Sequence, residues 1–229
     1  AVQSPGRKPA LGRNQLVLDY ANPDVCDYMI ARLGAILLGA PISYVKWDMN
    51  RSICDKYSNY LDVAHQGEFA HRYVLGLYRV LETLTQQFEN VLFEGCSGGG
   101  GRFDAGMMYY TPQIWLSDNT DAINRLSIQY GSSFGYPVST MGAHVSASPN
   151  HQTGRNTPLK TRSVVAMAGT FGYELDITKM TSVEKDQVRE QISTFQRLYH
   201  IIQQDLCILF PSLLQDKRYC HFAYLYMYN

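Results

Sequence analysis

Short apolar runs alternate along this chain with longer stretches whose apolar residues recur every three or four positions. The first kind predicts strands and the second amphipathic helices. Residues 15–19 (QLVLD) are strand-like, and Asn22 and Asp24 both suit the cap of a helix over 25–38. A second strand is predicted over 42–48. A helix follows over 68–88, with Phe69, Tyr73, Leu77, Val80, Leu81 and Leu84 on one face. Further strands are predicted over 91–94, 114–117, 139–145 and 173–177. Between them lie a short helix at 103–109 and helices over 121–130 and 161–168. A long helix over 182–203, with Glu184 near its positive end, completes the pattern.

Strands alternating with helices imply parallel pairing through right-handed crossovers. The five or six units counted here are fewer than the eight strands, typically about 250 residues, of a closed barrel. The pattern therefore leaves two architectures, an open doubly wound sheet or the later portion of a barrel. No low-complexity segment and no repeat of shared motif residues interrupts the alternation.

Composition narrows the classes. At 229 residues, 45% of them hydrophobic, the chain can bury a substantial core and reads as one globular domain or part of one. Lysine plus arginine and aspartate plus glutamate number 20 each, so there is no global field to draw nucleic acid or an anionic membrane, and a neutral substrate fits. No run approaches the roughly 20 apolar residues of a membrane-spanning helix. The five cysteines, Cys26, Cys54, Cys96, Cys207 and Cys220, are widely spaced without a CxxC pair, which signals neither a disulfide framework nor a zinc site and suggests a reducing, cytoplasmic setting. The chain opens abruptly on AVQSPGRKPALGRNQ without an initiator Met, as the interior of a larger protein would.

Two predicted strands end on a carboxylate: Asp48 closes ISYVKWD, and Asp118 follows PQIWLS. Carboxylates at the C-terminal ends of barrel strands are where catalytic groups are presented, and a pair of them suits glycoside hydrolysis. Other uses of these residues are plain. Asp48 could cap a helix or pair with Arg51, and Ser117-Asp118-Asn119-Thr120 could be a capping turn. Asp121 reads as the N-terminal charge of the next helix. The run GCSGGGGR over 95–102 lacks the GK[ST] ending of a phosphate loop; its glycines would let the backbone approach a sugar, or form a flexible turn. His144 and His151 have no third partner at metal spacing, so no metal and no cofactor is expected.

YVKWDMNR, FEGCSGGGGRFD, WLSDNTDA and GAHVSASPNHQTGR, in this order, resemble the α-galactosidases (melibiases) of glycoside hydrolase family 36. The likeness runs from about Val2 to about Gln203. It implies the later strands and helices of an incomplete catalytic (β/α)8 TIM barrel over 1–203, followed by a divergent tail over 204–229. By resemblance Asp48 is the nucleophile and Asp118 the acid/base of a retaining double displacement. Arg13, Lys46, Trp47, Asn50, Cys96 and Gly99 would line the sugar site, while Arg102 and Asp104 brace the glycine loop. Lys46, two positions from Asp48 on the same strand face, could also hold the Asp48 charge. For Asp118, the apolar approach through Ile114, Trp115 and Leu116 could favour the protonated acid by desolvation. The implied activity is hydrolysis of terminal α-D-galactose from melibiose- or raffinose-type oligosaccharides, with full-length relatives as homo-oligomers. The alternatives are an inactive or merely galactose-binding fragment, or an α-N-acetylgalactosaminidase or galactosyl-transferring relative.

Overall fold

A computed structural model describes residues 1–204, 207–208 and 225–226. The chain divides into two compact units, residues 1–112 and the remainder. In the first, helix α1 (Pro23–Gly39) leads to strand β1 (Tyr44–Asp48), helix α2 (Phe69–Gln87), strand β2 (Leu92–Cys96) and the short helix α3 (Ala105–Tyr110). In the second, strand β3 (Gln113–Trp115) is followed by helix α4 (Ala122–Ser133), strand β4 (Met141–Ser146), helix α5 (Leu159–Met167), strand β5 (Thr170–Glu174) and helix α6 (Ser182–Gln204). Residues Cys207–Ile208 and Leu225–Tyr226 form a two-residue antiparallel pair. The rest of the tail expected over 204–229 lies outside the described residues.

Within each unit the strands pair in parallel. Tyr44 to Asp48 run beside Leu92 to Cys96, and Gly142 to Ser146 run beside Thr170 to Glu174, with β3 on the other side of β4. Each parallel neighbour is reached through a flanking helix, so the architecture is that of a partial (β/α)8 barrel.

Local chemistry explains the elements. Asn22 caps α1, its side chain accepting from the Asp24 N–H, with Pro23 at the first turn. All six apolar residues of the 68–88 pattern are buried on α2. Asp104 caps α3 and Asp121 caps α4, the latter accepting from the Ile123 and Asn124 N–H groups. At α6 the cap lies one residue earlier than its predicted opening turn. Thr181 Oγ1 accepts from the Glu184 N–H while Glu184 Oε2 accepts from the Thr181 N–H and hydroxyl, a reciprocal capping box.

Two predicted strands need correction. Residues 15–19 do not form a ladder: Gly12 and Gln15 exchange backbone hydrogen bonds around Arg13 and Asn14, both at positive φ, the Val17 carbonyl accepts from Val2, and Asp19 is drawn into a turn. The strand expected over 173–177 begins three residues earlier, at Thr170, and ends at Glu174, because Asp176 caps a single 3-10 turn over Ile177–Lys179. Gly172 within it and Gly169 just before it are there for fit. A Cβ on Gly172 would sit 2.9 Å from the His144 ring, and one on Gly169 would sit 2.7 Å from the Met141 carbonyl.

Candidate active site

In the first unit the chemistry gathers where β1 and β2 end. Tyr44, Lys46 and Asp48 alternate with the better covered Val45 and Trp47. Register places Asp48 opposite Cys96 and Lys46 opposite Glu94. Asn50 links Asp48 to the glycine loop: its Nδ2 donates to Asp48 Oδ2, and its Oδ1 accepts from the Gly98 N–H at 3.1 Å.

Cys96 stands opposite Asp48 in the β1–β2 register, and burial, with the Asp48 carboxylate adding to it, pushes the thiol up to about 11; a backbone hydrogen bond from Gly99 works the other way. At neutral pH the group is therefore a thiol, a neutral donor beside a carboxylate.

The glycine run is a built loop. Gly98 and Gly99 both take positive φ, and the Ser97 N–H donates to the Gly99 carbonyl at 2.9 Å. Arg102 braces it, donating to Ser97 Oγ at 2.8 Å and to the Met49 carbonyl at 3.2 Å, while Asp104 serves α3 as its cap. A hollow of about 360 Å³ opens beside these strand ends, lined among others by Leu16, Leu18, Lys46, Trp47, Asp48 and Asn50. Arg13 is exposed at the tip of its turn and is not among the residues lining the hollow. Arg51, considered above as an Asp48 partner, instead donates to the Ala10 carbonyl.

Glu94 was not singled out by sequence reasoning. It is 1% exposed, accepts from the Tyr44 hydroxyl and lies 3.8 Å from the Lys46 ammonium. Only the β1–β2 register, a non-local fact, brings it beside Lys46.

In the second unit the buried run Ile114, Trp115 and Leu116 stops before Asp118, which is exposed and accepts from the Trp115 indole N–H at 3.1 Å. The indole also stacks on His144, 4.7 Å between centroids, and His144 Nδ1 is 3.0 Å from Glu174. The exposed His151 lies elsewhere on the 148–157 loop. Among the described residues no cluster of His, Cys, Asp or Glu is arranged to hold a metal. Asp121 is fully enclosed. Burial alone would raise its pKa, but hydrogen bonds from Thr153 and the Asn124 N–H, together with the Arg155 charge, overcome that and hold it below the usual aspartate value.

Known proteins share this sequence and fold. Residues 1–205 match the family model described as Melibiase. The α-galactosidase AgaA of Geobacillus stearothermophilus is 58% identical over 199 residues, covering 87% of this chain and 27% of that protein. The bifunctional α-galactosidase/sucrose kinase AgaSK of Mediterraneibacter gnavus is 54% identical over 204 residues, covering 89% of this chain and 21% of that protein. A crystal structure of an AgaA variant with raffinose superposes with a TM-score of 0.89 at 55% identity, over 92% of this chain and 30% of that one. The chain thus spans less than a third of the length of these relatives, and it belongs to the Melibiase family.

Proposed function

We propose that this chain is the catalytic-barrel portion of a retaining α-galactosidase, residues 1–203 carrying the chemistry. The protein containing it would release terminal non-reducing α-D-galactose from melibiose- and raffinose-type oligosaccharides. Asp48 attacks the anomeric carbon while Asp118 protonates the departing glycosidic oxygen; Asp118 then takes a proton from water, which displaces Asp48 and frees galactose with retained configuration. Lys46, Trp47, Asn50, Cys96, Gly99 and Arg13 bind the sugar. The observation that carries the reading is Asp48, presented at a strand end opposite Cys96 and oriented by Asn50, which is itself tied to the glycine loop. Relatives crystallised with raffinose and with stachyose support the substrate class.

The free thiols of Cys26, Cys54 and Cys96 support a reducing, cytoplasmic location. Among the described residues no helix is long and apolar enough to cross a membrane. The family resemblance adds a homo-oligomeric whole protein.

The test is trapping. A 2-deoxy-2-fluoro-galactosyl donor with a good leaving group should leave one galactosyl adduct, mapped by mass spectrometry to Asp48 in the full-length protein that contains this sequence. Galactose binding without any adduct would instead favour a non-catalytic sugar-binding protein.

A further inference from the structure

Arg125 occupies a position that packing alone does not demand. It lies on the first turns of α4, 4% exposed, and its side chain runs back toward the end of β3. The guanidinium donates three hydrogen bonds, all to backbone carbonyls: Nη2 to Ser117 at 2.6 Å, Nε to Asn119 at 2.7 Å and Nη1 to Gly142 at 3.1 Å. The first two carbonyls flank Asp118, and the third belongs to β4. Its guanidinium carbon also stands 4.4 Å from the centroid of the Trp115 ring, whose N–H holds the Asp118 carboxylate.

We propose that Arg125 is the positioning residue of Asp118, fixing the backbone on both sides of it and the indole that orients its carboxylate. The inference rests on the acid/base reading of Asp118. An acid/base group gives up and regains a proton in each cycle and must face the same oxygen in both states. Asp118 is exposed, so no packing does this for it; the flanking carbonyls and the Trp115 N–H do. Burying a guanidinium is costly unless its donors are matched. Burial draws the Arg125 pKa down to about 10, opposed by the Asp118 and Glu174 charges, so the side chain keeps its proton and all its donors at neutral pH. A lysine has no planar fork to span two carbonyls and stack on an indole at once.

A purely structural arginine would make the opposite prediction in kinetics, because its loss would affect all substrates alike. In the full-length protein containing this sequence, Arg125→Lys should lower kcat/KM for melibiose roughly 30-fold more than for a dinitrophenyl α-galactoside, whose leaving group needs no proton. Combined with Asp118→Asn it should add no more than about 2-fold, since the two changes remove one function. Trp115→Phe keeps a ring under the guanidinium but deletes the indole donor, and should show the same melibiose-selective loss even if Arg125 variants fold poorly. Equal losses on both substrates, or multiplicative losses in the Asp118→Asn background, would overturn the proposal. A wild-type protein that turns over neither galactoside removes the Asp118 reading itself, which is a distinguishable result.

Discussion

At the scale of single residues, the buried acids Glu94 and Asp121 do different work from the exposed pair Asp48 and Asp118. Glu94 ties Tyr44 and Lys46 to β2, so Glu94→Ala should destabilise the fold by roughly 2–3 kcal/mol, modest for a buried charge because Lys46 reaches solvent. Urea unfolding measures this, and Glu94→Gln should recover part of it through the Tyr44 hydrogen bond. Asp121 joins the cap of α4 to Thr153 and Arg155 of the loop after β4, and Asp121→Ala should cost roughly 3 kcal/mol. Because its folded pKa is depressed, its contribution is present above the usual aspartate value of 3.8 and is lost as pH falls through the lower folded value. Wild type and Asp121→Asn should therefore differ in melting temperature at pH 7 and converge in that acid window. The sequence shows Asp121 as a helix cap, because a cap is a local pattern. It does not show Glu94 or Arg125 as more than solvated charges, because their partners come from a neighbouring strand and a turn.

Elements were legible where periodicity was long. The six apolar positions of α2 announce a helix and its buried face, and all six are buried. Short segments were ambiguous in proportion to how much their pairing decides: QLVLD is a short apolar run like a strand, yet the Val17 carbonyl accepts from Val2 and Gln15 closes a turn with Gly12. Residues 169–172 carried no element in the pattern, yet the strand begins at Thr170, with Gly169 and Gly172 accommodating β4. Glycines also separate close approach from neutral space within helices. A Cβ on Gly76 of α2 would run into the Tyr20 carbonyl and come within 3.1 Å of the Cys26 sulfur at the start of α1. Gly76→Ala should cost roughly 3 kcal/mol and loosen α1, seen as faster proteolysis near residues 20–26. Gly131 of α4 meets nothing within 4 Å, so Gly131→Ala should instead stabilise by about 0.5–1 kcal/mol.

Across the whole molecule, burial differs between strands in a way that predicts behaviour. Five of the six β4 residues are buried, whereas none of the five in β1 is fully covered. In the first unit, which carries β1, Leu16 is 50% exposed, Ile36 59%, Leu38 74% and Tyr44 45%, and Leu16 also lines the hollow that Trp47 and Asp48 share. Eight strands close a barrel of this class, and the five parallel strands here leave β1 with an outer edge that has no ladder partner among the described residues. An apolar surface next to an unpaired edge invites association. The 229-residue polypeptide made by itself should therefore run as oligomers or aggregates in size-exclusion chromatography, bind a hydrophobic dye such as ANS, and hydrolyse an aryl α-galactoside too slowly to detect. Replacing Leu16 and Leu38 together with lysine should reduce the association without restoring hydrolysis, because solubility concerns the exposed face while catalysis needs the complete sugar site. A monomeric, dye-negative and active 229-residue chain would show that these five strands suffice for both.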